Sequence, residues 1–580
     1  MKAKNQRESA QDILSREVGY VRKPHANRLR VALVFPNTYF VGMSNLGFQT
    51  MYRLFNNHDD IVCERVFLPP KQELAALREA GTRLVTIESQ TPVADFDVIA
   101  FSVSFEWDYT NVLTLLRLAG VPLRAADRDY RQPLVVIGGA VTFVNPEPLS
   151  AFADVIAAGE GEALVPALID AFGSTSRTEQ LKRLAQARGY YIPSFYDVEY
   201  DANGAISRFV PREGTGAPPV VRKAALKTTE AIDPPCTTIF TPDTEFGSRF
   251  LIEVVRGCAN LCRFCWAGYN YLPVRAFPTD RILALAQAAR THSSRTGLVS
   301  IALCDHPDIE RILMSLKDMG YSISPASLRL DDLTPTIVSL LQESGERTLT
   351  IAPETGSDRL RRVINKTVTN AEILDRAELI FSSGIESLKL YFMIALPTEE
   401  DEDLVAIRDL TLQIHEIMLK YARPRGRIGR IVASVNPLVP KPGTAYQWLP
   451  MERTDAIERK MKRMRSLVAG IDNVFFNIKS ERHSYYQALL SLGDRRIAPA
   501  IEMAEENGGQ WRKAVADSGV DGDFYIYRDR SADTVLPWNI IDGGMKEPFF
   551  RAEFEKSTRA EWTLPPKRAK ENAHVLPVLT

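Results

Sequence analysis

Residues 249–266 read RFLIEVVRGCANLCRFCW, and this stretch decides the reading of the chain. Its first half is an apolar run with β-branched Ile252, Val254 and Val255, the pattern of a buried strand. The run leads directly into Cys258, Cys262 and Cys265, spaced C-x3-C-x2-C. The chain holds only three other cysteines, Cys63, Cys236 and Cys304, too few for a disulfide scaffold. Three thiols crowded on one short loop read as metal ligands. Such a loop can bind three irons of a cubane and leave the fourth iron open to a small molecule. Zinc is the alternative and needs a fourth donor, for which His292, Cys304 and His306 are the nearest later residues. Arg256 and Arg263 are expected to favour the thiolate forms.

Downstream, strand and helix patterns alternate. TDRILALAQAARTHS reads as a helix, GLVSIALCD as a strand, and LTPTIVSLLQESG as a helix closed by Gly345. RTLTIAPETG is a strand, and NAEILDRAELIFSSG a helix capped by Asn370 and ended by Gly384. SLKLYFMIALP and RIVASVNPLVP are further strands. Repeated β-α units predict a partial or full (β/α) TIM-type barrel, with chemistry at the carboxyl ends of its strands. Upstream, RVALVFPN, FDVIAFSVS, PLVVIGGA and ADVIAAGEGE alternate with helical segments, with Ser44 or Asn45 as the first helix cap. They predict a Rossmann-like parallel sheet covered on both faces.

The expected fold class is therefore α/β. An N-terminal extension spans 1–25, a Rossmann-like domain 26–175, a connecting segment with hairpins 176–245, and the barrel core 246–450. A helical C-terminal region spans 451–563, followed by a mobile tail, 564–580. With 45% hydrophobic residues and 25% charged, each domain can bury an ordinary core. The net charge of −1 excludes a polyanion binder by bulk charge, though not a local basic patch. The first twenty residues lack an apolar core and no long apolar run follows, so the cytoplasm is the expected compartment, without membrane insertion.

The strand, the cysteine spacing and Trp266 behind it resemble the signature of the radical S-adenosylmethionine (SAM) superfamily. The resemblance implies a [4Fe–4S] cluster on Cys258, Cys262 and Cys265, with SAM chelated to its fourth iron. It further implies reductive cleavage of SAM to a 5′-deoxyadenosyl radical, and an external electron donor of flavodoxin or ferredoxin type. SAM contacts are implied at Trp266, Asp305, Ser327, Arg329 and Glu354. Asp305 stands where many members carry Gly-Gly-Glu, and IALPTE (394–399) resembles the late strand motif that packs on adenine.

VVIGGAVTFVNPEPL and ADVIAAGEGE resemble the cobalamin-binding domain fused ahead of many such cores. The stretch 31–545, with NPLVPKPGTAYQW and LPWNIIDGG, looks like a cobalamin-domain subfamily of unassigned substrate. Cobalamin contacts are implied at Gly42, Ser102, Ser104, Gly138, Gly139, Gly159, Glu160 and Gly161, and C-methylation as the reaction. The D-x-H-x-x-G motif that supplies a lower histidine ligand is absent, because the matching loop reads NTYFVGMSNLG. By physics alone these glycines also suit tight βα turns. Alternatives are a cobalamin-independent radical rearrangement or cyclisation, an RNA-modifying enzyme, and a non-catalytic redox carrier. Sulfur insertion is disfavoured, because only Cys63, Cys236 and Cys304 remain for a second cluster. For RNA, Lys420, Arg423, Arg425, Arg427 and Arg430 form a basic loop, and Arg459, Lys460, Lys462, Arg463 and Arg465 a basic helix. A charge run is more often a solvated face. His306 and His292 are candidate acid–base groups, and Cys304 either faces the barrel mouth or is a small buried hydrophobe.

Overall fold

Strands rich in Val, Ile and Leu on both sides need cover on both faces. Five of them find it in the first third of the chain. The computed structural model describes residues 10–174, 176–325, 328–330, 333–478 and 480–564. Strands β1 (Leu29–Phe35), β2 (Ile61–Phe67), β3 (Val98–Ser102), β4 (Leu134–Gly138) and β5 (Val155–Ala157) are parallel, and β6 (Tyr190–Tyr191) adds antiparallel at the edge. The order is 2-1-3-4-5-6. Val31 pairs with Cys63 on one side and Val98 on the other. Chain direction around the sheet reverses between β1 and β3, which opens a crevice at the carboxyl edge. Asn45 caps the helix Leu46–Asn56 by accepting the Phe48 N–H.

Strand β2, IVCERVF, has no counterpart in the sequence reading, and Glu64 and Arg65 interrupt its apolar run. Both are buried. The Arg65 guanidinium is paired with Glu17 and Glu88, and Glu64 takes His25, Thr86 and Ser89. A buried charge is tolerable only when paired in this way.

The second half supplies seven more parallel strands in two sheets. β7 (Phe250–Glu253), β8 (Arg295–Val299) and β9 (Ser322–Pro325) form one. β10 (Thr348–Glu354), β11 (Ser387–Ile394), β12 (Ile431–Pro437) and β13 (Val474–Ile478) form the other. Helices follow the strands, so the arrangement is a partial (β/α) barrel. Leu388, Leu390, Phe392 and Ile394 of β11 are buried against the helices, while Lys389 and Tyr391 stand on the open inner face. The helix Asn370–Ser382 is capped by Thr369, not Asn370: Thr369 and Glu372 form a reciprocal capping box. Strand β13 extends this sheet beyond residue 450, where the sequence reading closes the core.

The connecting segment contains the expected hairpin, Tyr196–Tyr200 with Ile206–Pro211. Its Val221–Arg222 pairs with Ile541–Asp542 from the far end of the chain. The C-terminal helices fold back on helices that cover the N-terminal sheet, where buried Glu505 meets Arg78, Arg117 and Thr114. No helix among the described residues is long and apolar enough to cross a membrane. Of the expected tail, residues 565–580 lie outside the described residues.

Candidate functional site

The cysteine loop leaves the sheet after β7. Gly257 has φ 96°, and a Cβ there would stand 2.5 Å from the Tyr271 carbonyl oxygen, so only glycine turns the chain here. Cys258 is buried, and Cys262 and Cys265 are half-buried. Cys265 is the N-cap of the short helix Trp266–Asn270, and the Gly268 N–H donates to its sulfur. Burial pushes the Cys262 thiol up, opposed by Lys366 and reinforced by the fields of Cys265 and Cys258. Burial likewise raises Cys265. The three thiols are close enough to sense one another, and a metal that binds them displaces protons.

The two arginines of the motif do not serve as expected. Arg256 is committed to Glu253, Glu160 and Glu162, at 2.7, 3.0 and 2.9 Å. Arg263 points away and pairs with Glu553. The cations at the thiols are instead Lys366 and Arg329, whose Nη1 lies 3.9 Å from Cys258 Sγ. Lys366 has no motif around it, and the sequence reading missed it.

The structure joins Asp305 and Arg329, two of the sequence-derived SAM residues, in an ion pair at 2.9 Å beside Cys258. Glu354 ends β10 at φ 65° and accepts from Lys366 at 3.2 Å; burial raises its carboxyl against the pull of that lysine. Trp266 packs at a tilt on Phe143 of the N-terminal domain at 5.1 Å, and its buried indole N–H has no partner among the described residues. Ser327 lies outside the described residues. In IALPTE, Ala395 and Thr398 have positive φ, and Glu399 holds the turn by accepting the Ala395 N–H and pairing with Lys460.

Neither histidine is placed for zinc or proton transfer. His306 Nε2 bonds the Phe277 carbonyl and its Nδ1 accepts the Asp308 N–H, while His292 stacks on Phe240. Cys304 is half-buried. The basic segments are largely matched by acids: Lys420 with Glu378, Arg427 with Glu386, Arg459 with Asp455, Lys460 with Glu399, and Arg463 with Asp401. Arg425 donates to the carbonyls of Phe381 and Ser382.

A cavity of about 560 Å³ fills the crevice at the carboxyl edge of the first sheet. Ser102, Ser104, Gly138, Gly139, Gly159, Glu160 and Gly161 all line it. Gly42 does not: it is wedged against Phe67 and Phe35 in the core. Gly139 and Gly159 owe their identity to the protein itself, because a Cβ would strike the carbonyl oxygens of Val103 at 2.3 Å and Ala224 at 2.1 Å. The opposite wall is the barrel: Glu253, Arg256, Gly257, Tyr271 and Ile301. Glu160 binds both Arg275 and Arg256, so burial and these two cations set its charge, and the cations win, holding its carboxyl below the ordinary range. The turn 159–162 thus fastens the two halves at the rim of the cavity.

Comparison with known proteins gives two family matches. Residues 47–193 match the family "Radical SAM proteins, N-terminal", and residues 252–411 match "Radical SAM superfamily". The uncharacterized protein MJ0966 of Methanocaldococcus jannaschii is 26% identical over 480 residues, covering 82% of this chain and 91% of that one. Among solved structures, the radical SAM methyltransferase TsrM from Kitasatospora setae, with tryptophan and aza-SAM bound, aligns over 70% of this chain and 72% of its own at 12% identity and TM-score 0.44. The cobalamin-dependent enzyme OxsB, with aqua-cobalamin and SAM bound, aligns over 69% and 56% at 14% identity and TM-score 0.45.

Proposed function

Because the chain belongs to the radical SAM superfamily, we propose that it cleaves SAM reductively at a [4Fe–4S] cluster on Cys258, Cys262 and Cys265, and uses cobalamin in the inter-domain cavity to methylate carbon. The observation that carries the second half is the shared wall. Arg256 and Gly257, which line the cavity, run directly into Cys258. The donor set favours a cubane over zinc: three thiols lie on one loop, while both ring nitrogens of His306 are engaged elsewhere and His292 lies against Phe240.

Cys258, Cys262 and Cys265 would hold the cluster, which would supply the electron for reductive cleavage of SAM, and the lining of the cavity would hold cobalamin, which would supply a methyl group. The protein's part is binding and orientation. Asp305 and Arg329, paired with each other, have complementary charges for the amino and carboxylate groups of a bound amino acid. Lys366 and Arg329 offset the negative charge gathered by three thiolates. Glu354, held by Lys366, is an acceptor at the end of β10 for a ribose or an amino group. Trp266 and Phe143 form an apolar partition between the cysteine loop and the cavity, and Phe143 itself lines the cavity.

The test is anaerobic reconstitution with iron, sulfide, SAM and dithionite. The intact chain is expected to form 5′-deoxyadenosine and to retain a corrin spectrum after cobalamin loading and gel filtration. Cys258→Ala, Cys262→Ala and Cys265→Ala are each expected to abolish 5′-deoxyadenosine while leaving the corrin spectrum. Bound iron without SAM binding would defeat the first half of the proposal. Loss of the corrin on filtration would defeat the second and favour a radical reaction without methyl transfer.

A further inference from the structure

A loop that carries three thiolates must hold them against mutual repulsion, and loops are ordinarily the mobile part of a fold. This one is gripped from outside by segments distant in sequence. Arg263, between two of the cysteines, is fully buried. Its Nε donates to Glu553 Oε2 at 3.1 Å, its Nη1 to the carbonyls of Arg362 and Val363 at 2.7 and 3.0 Å, and its Nη2 to the Glu561 carbonyl at 2.8 Å. Its own N–H bonds the Ile364 carbonyl at 2.9 Å. Asn365 completes the grip: its Nδ2 donates to the carbonyls of Leu261 and Thr563 at 3.1 and 3.0 Å, and its Oδ1 accepts the Thr563 N–H at 2.9 Å. Thr563 Oγ1 in turn donates to Glu553 at 2.6 Å.

We infer that Glu553, Asn365 and Thr563 are positioning residues for the iron–sulfur cluster: the C-terminal strap clamps the cysteine loop from behind and balances the charge of its buried arginine. The inference rests on the reading of the three cysteines as cluster ligands. Two consequences separate it from simple packing. Outer-sphere partners fix ligand geometry, and losing one costs metal affinity. Arg263 also lies on the loop itself, directly after Cys262, so the charge that Glu553 balances belongs to the loop that carries the thiols. Removing the charge of Glu553 leaves Arg263 and Lys556 without that carboxylate at the loop that carries the thiols. Reduction adds negative charge there, so the cluster becomes easier to reduce.

The experiment uses the full chain, reconstituted without oxygen, as parent, Glu553→Gln, Asn365→Ala and the control Glu547→Gln. Glu547 lies on the same helix, Glu547–Thr558, and pairs with Arg551 near the surface. Iron per chain, the rate of iron loss to a chelator and the midpoint potential are read, with thermal melting as the folding control. Iron loss about tenfold faster is expected in Glu553→Gln and Asn365→Ala, with the control like the parent. The midpoint is expected to become less negative in Glu553→Gln and to stay put in Asn365→Ala. If Glu553→Gln does not fold, Asn365→Ala decides by its rate of iron loss. Variants that hold iron as the parent does, with an unmoved midpoint, overturn the clamp. A parent that takes up no iron overturns the reading of the cysteines themselves.

Discussion

The cysteine loop and the inter-domain cavity are built on opposite principles. The loop is made of donor atoms that no other side chain can imitate, and it is fixed by contacts from residues 362–365 and 553–563. The cavity is lined largely by glycines, serines and apolar side chains, and several of its glycines are there because backbone crosses backbone. One site is specified by chemistry and supported by distant packing. The other is specified by topology, the reversal between β1 and β3. The two should therefore fail separately, and the largest expected effect tests this. Ser104→Trp fills the cavity from its wall and should abolish retention of a corrin spectrum, while 5′-deoxyadenosine formation without substrate stays near the parent value. Loss of both together would mean that the two regions are one site.

The hinge between them is charged. Glu160→Gln leaves Arg275 without its carboxylate and weakens Arg256, both buried. The expected loss is roughly 3 kcal/mol, read from the urea midpoint, and an unchanged midpoint would show that Glu162 and Glu253 suffice. On the cluster side, Arg329→Met removes one half of the pair with Asp305 and should weaken SAM binding about tenfold, the value of one charge-assisted contact. Equilibrium dialysis measures this, and affinity equal to the parent's would remove Arg329 from the SAM site.

The smallest effect belongs to the cavity side. Burial pushes the Asp108 carboxyl up to about 6, against the amide donors of Asn37 and Asn111. The raised value means that the native state holds the proton more tightly than the unfolded chain. This contribution to stability is present at low pH and is lost as pH rises through about 6. Asp108→Asn removes that loss. Its advantage over the parent should grow by about 1 kcal/mol between pH 5 and pH 7.5, and urea midpoints at the two pH values check it.

These differences also mark what was legible in the sequence. Cys258, Cys262 and Cys265 stand out because thiols are scarce and their spacing is short. The βα alternation shows because buried parallel strands must be apolar. Strand β2 hid behind Glu64 and Arg65, whose partners, His25 and Thr86 for the first and Glu17 and Glu88 for the second, are distant in sequence. Arg256 looked like a cation for the thiols, and only the folded chain shows it turned to Glu253, Glu160 and Glu162. Lys366 and Asn365 carry no local signature, since their roles exist only where the chain returns to the loop. The glycines at the cavity were found, but Gly139 and Gly159 are explained by neighbouring carbonyls and not by a ligand.

The reach of Arg263 also sets a timetable. Its carboxylate partner is 290 residues further along the chain. At roughly 5–20 residues per second, the ribosome needs on the order of 15–60 s to make that partner after Cys265, the last cysteine of the loop, has been added. Through that interval the nascent loop has all its sulfurs and an arginine without its counter-charge. Metal delivered during synthesis meets an unfinished loop, and a chain that stops before residue 553 stays in that condition permanently.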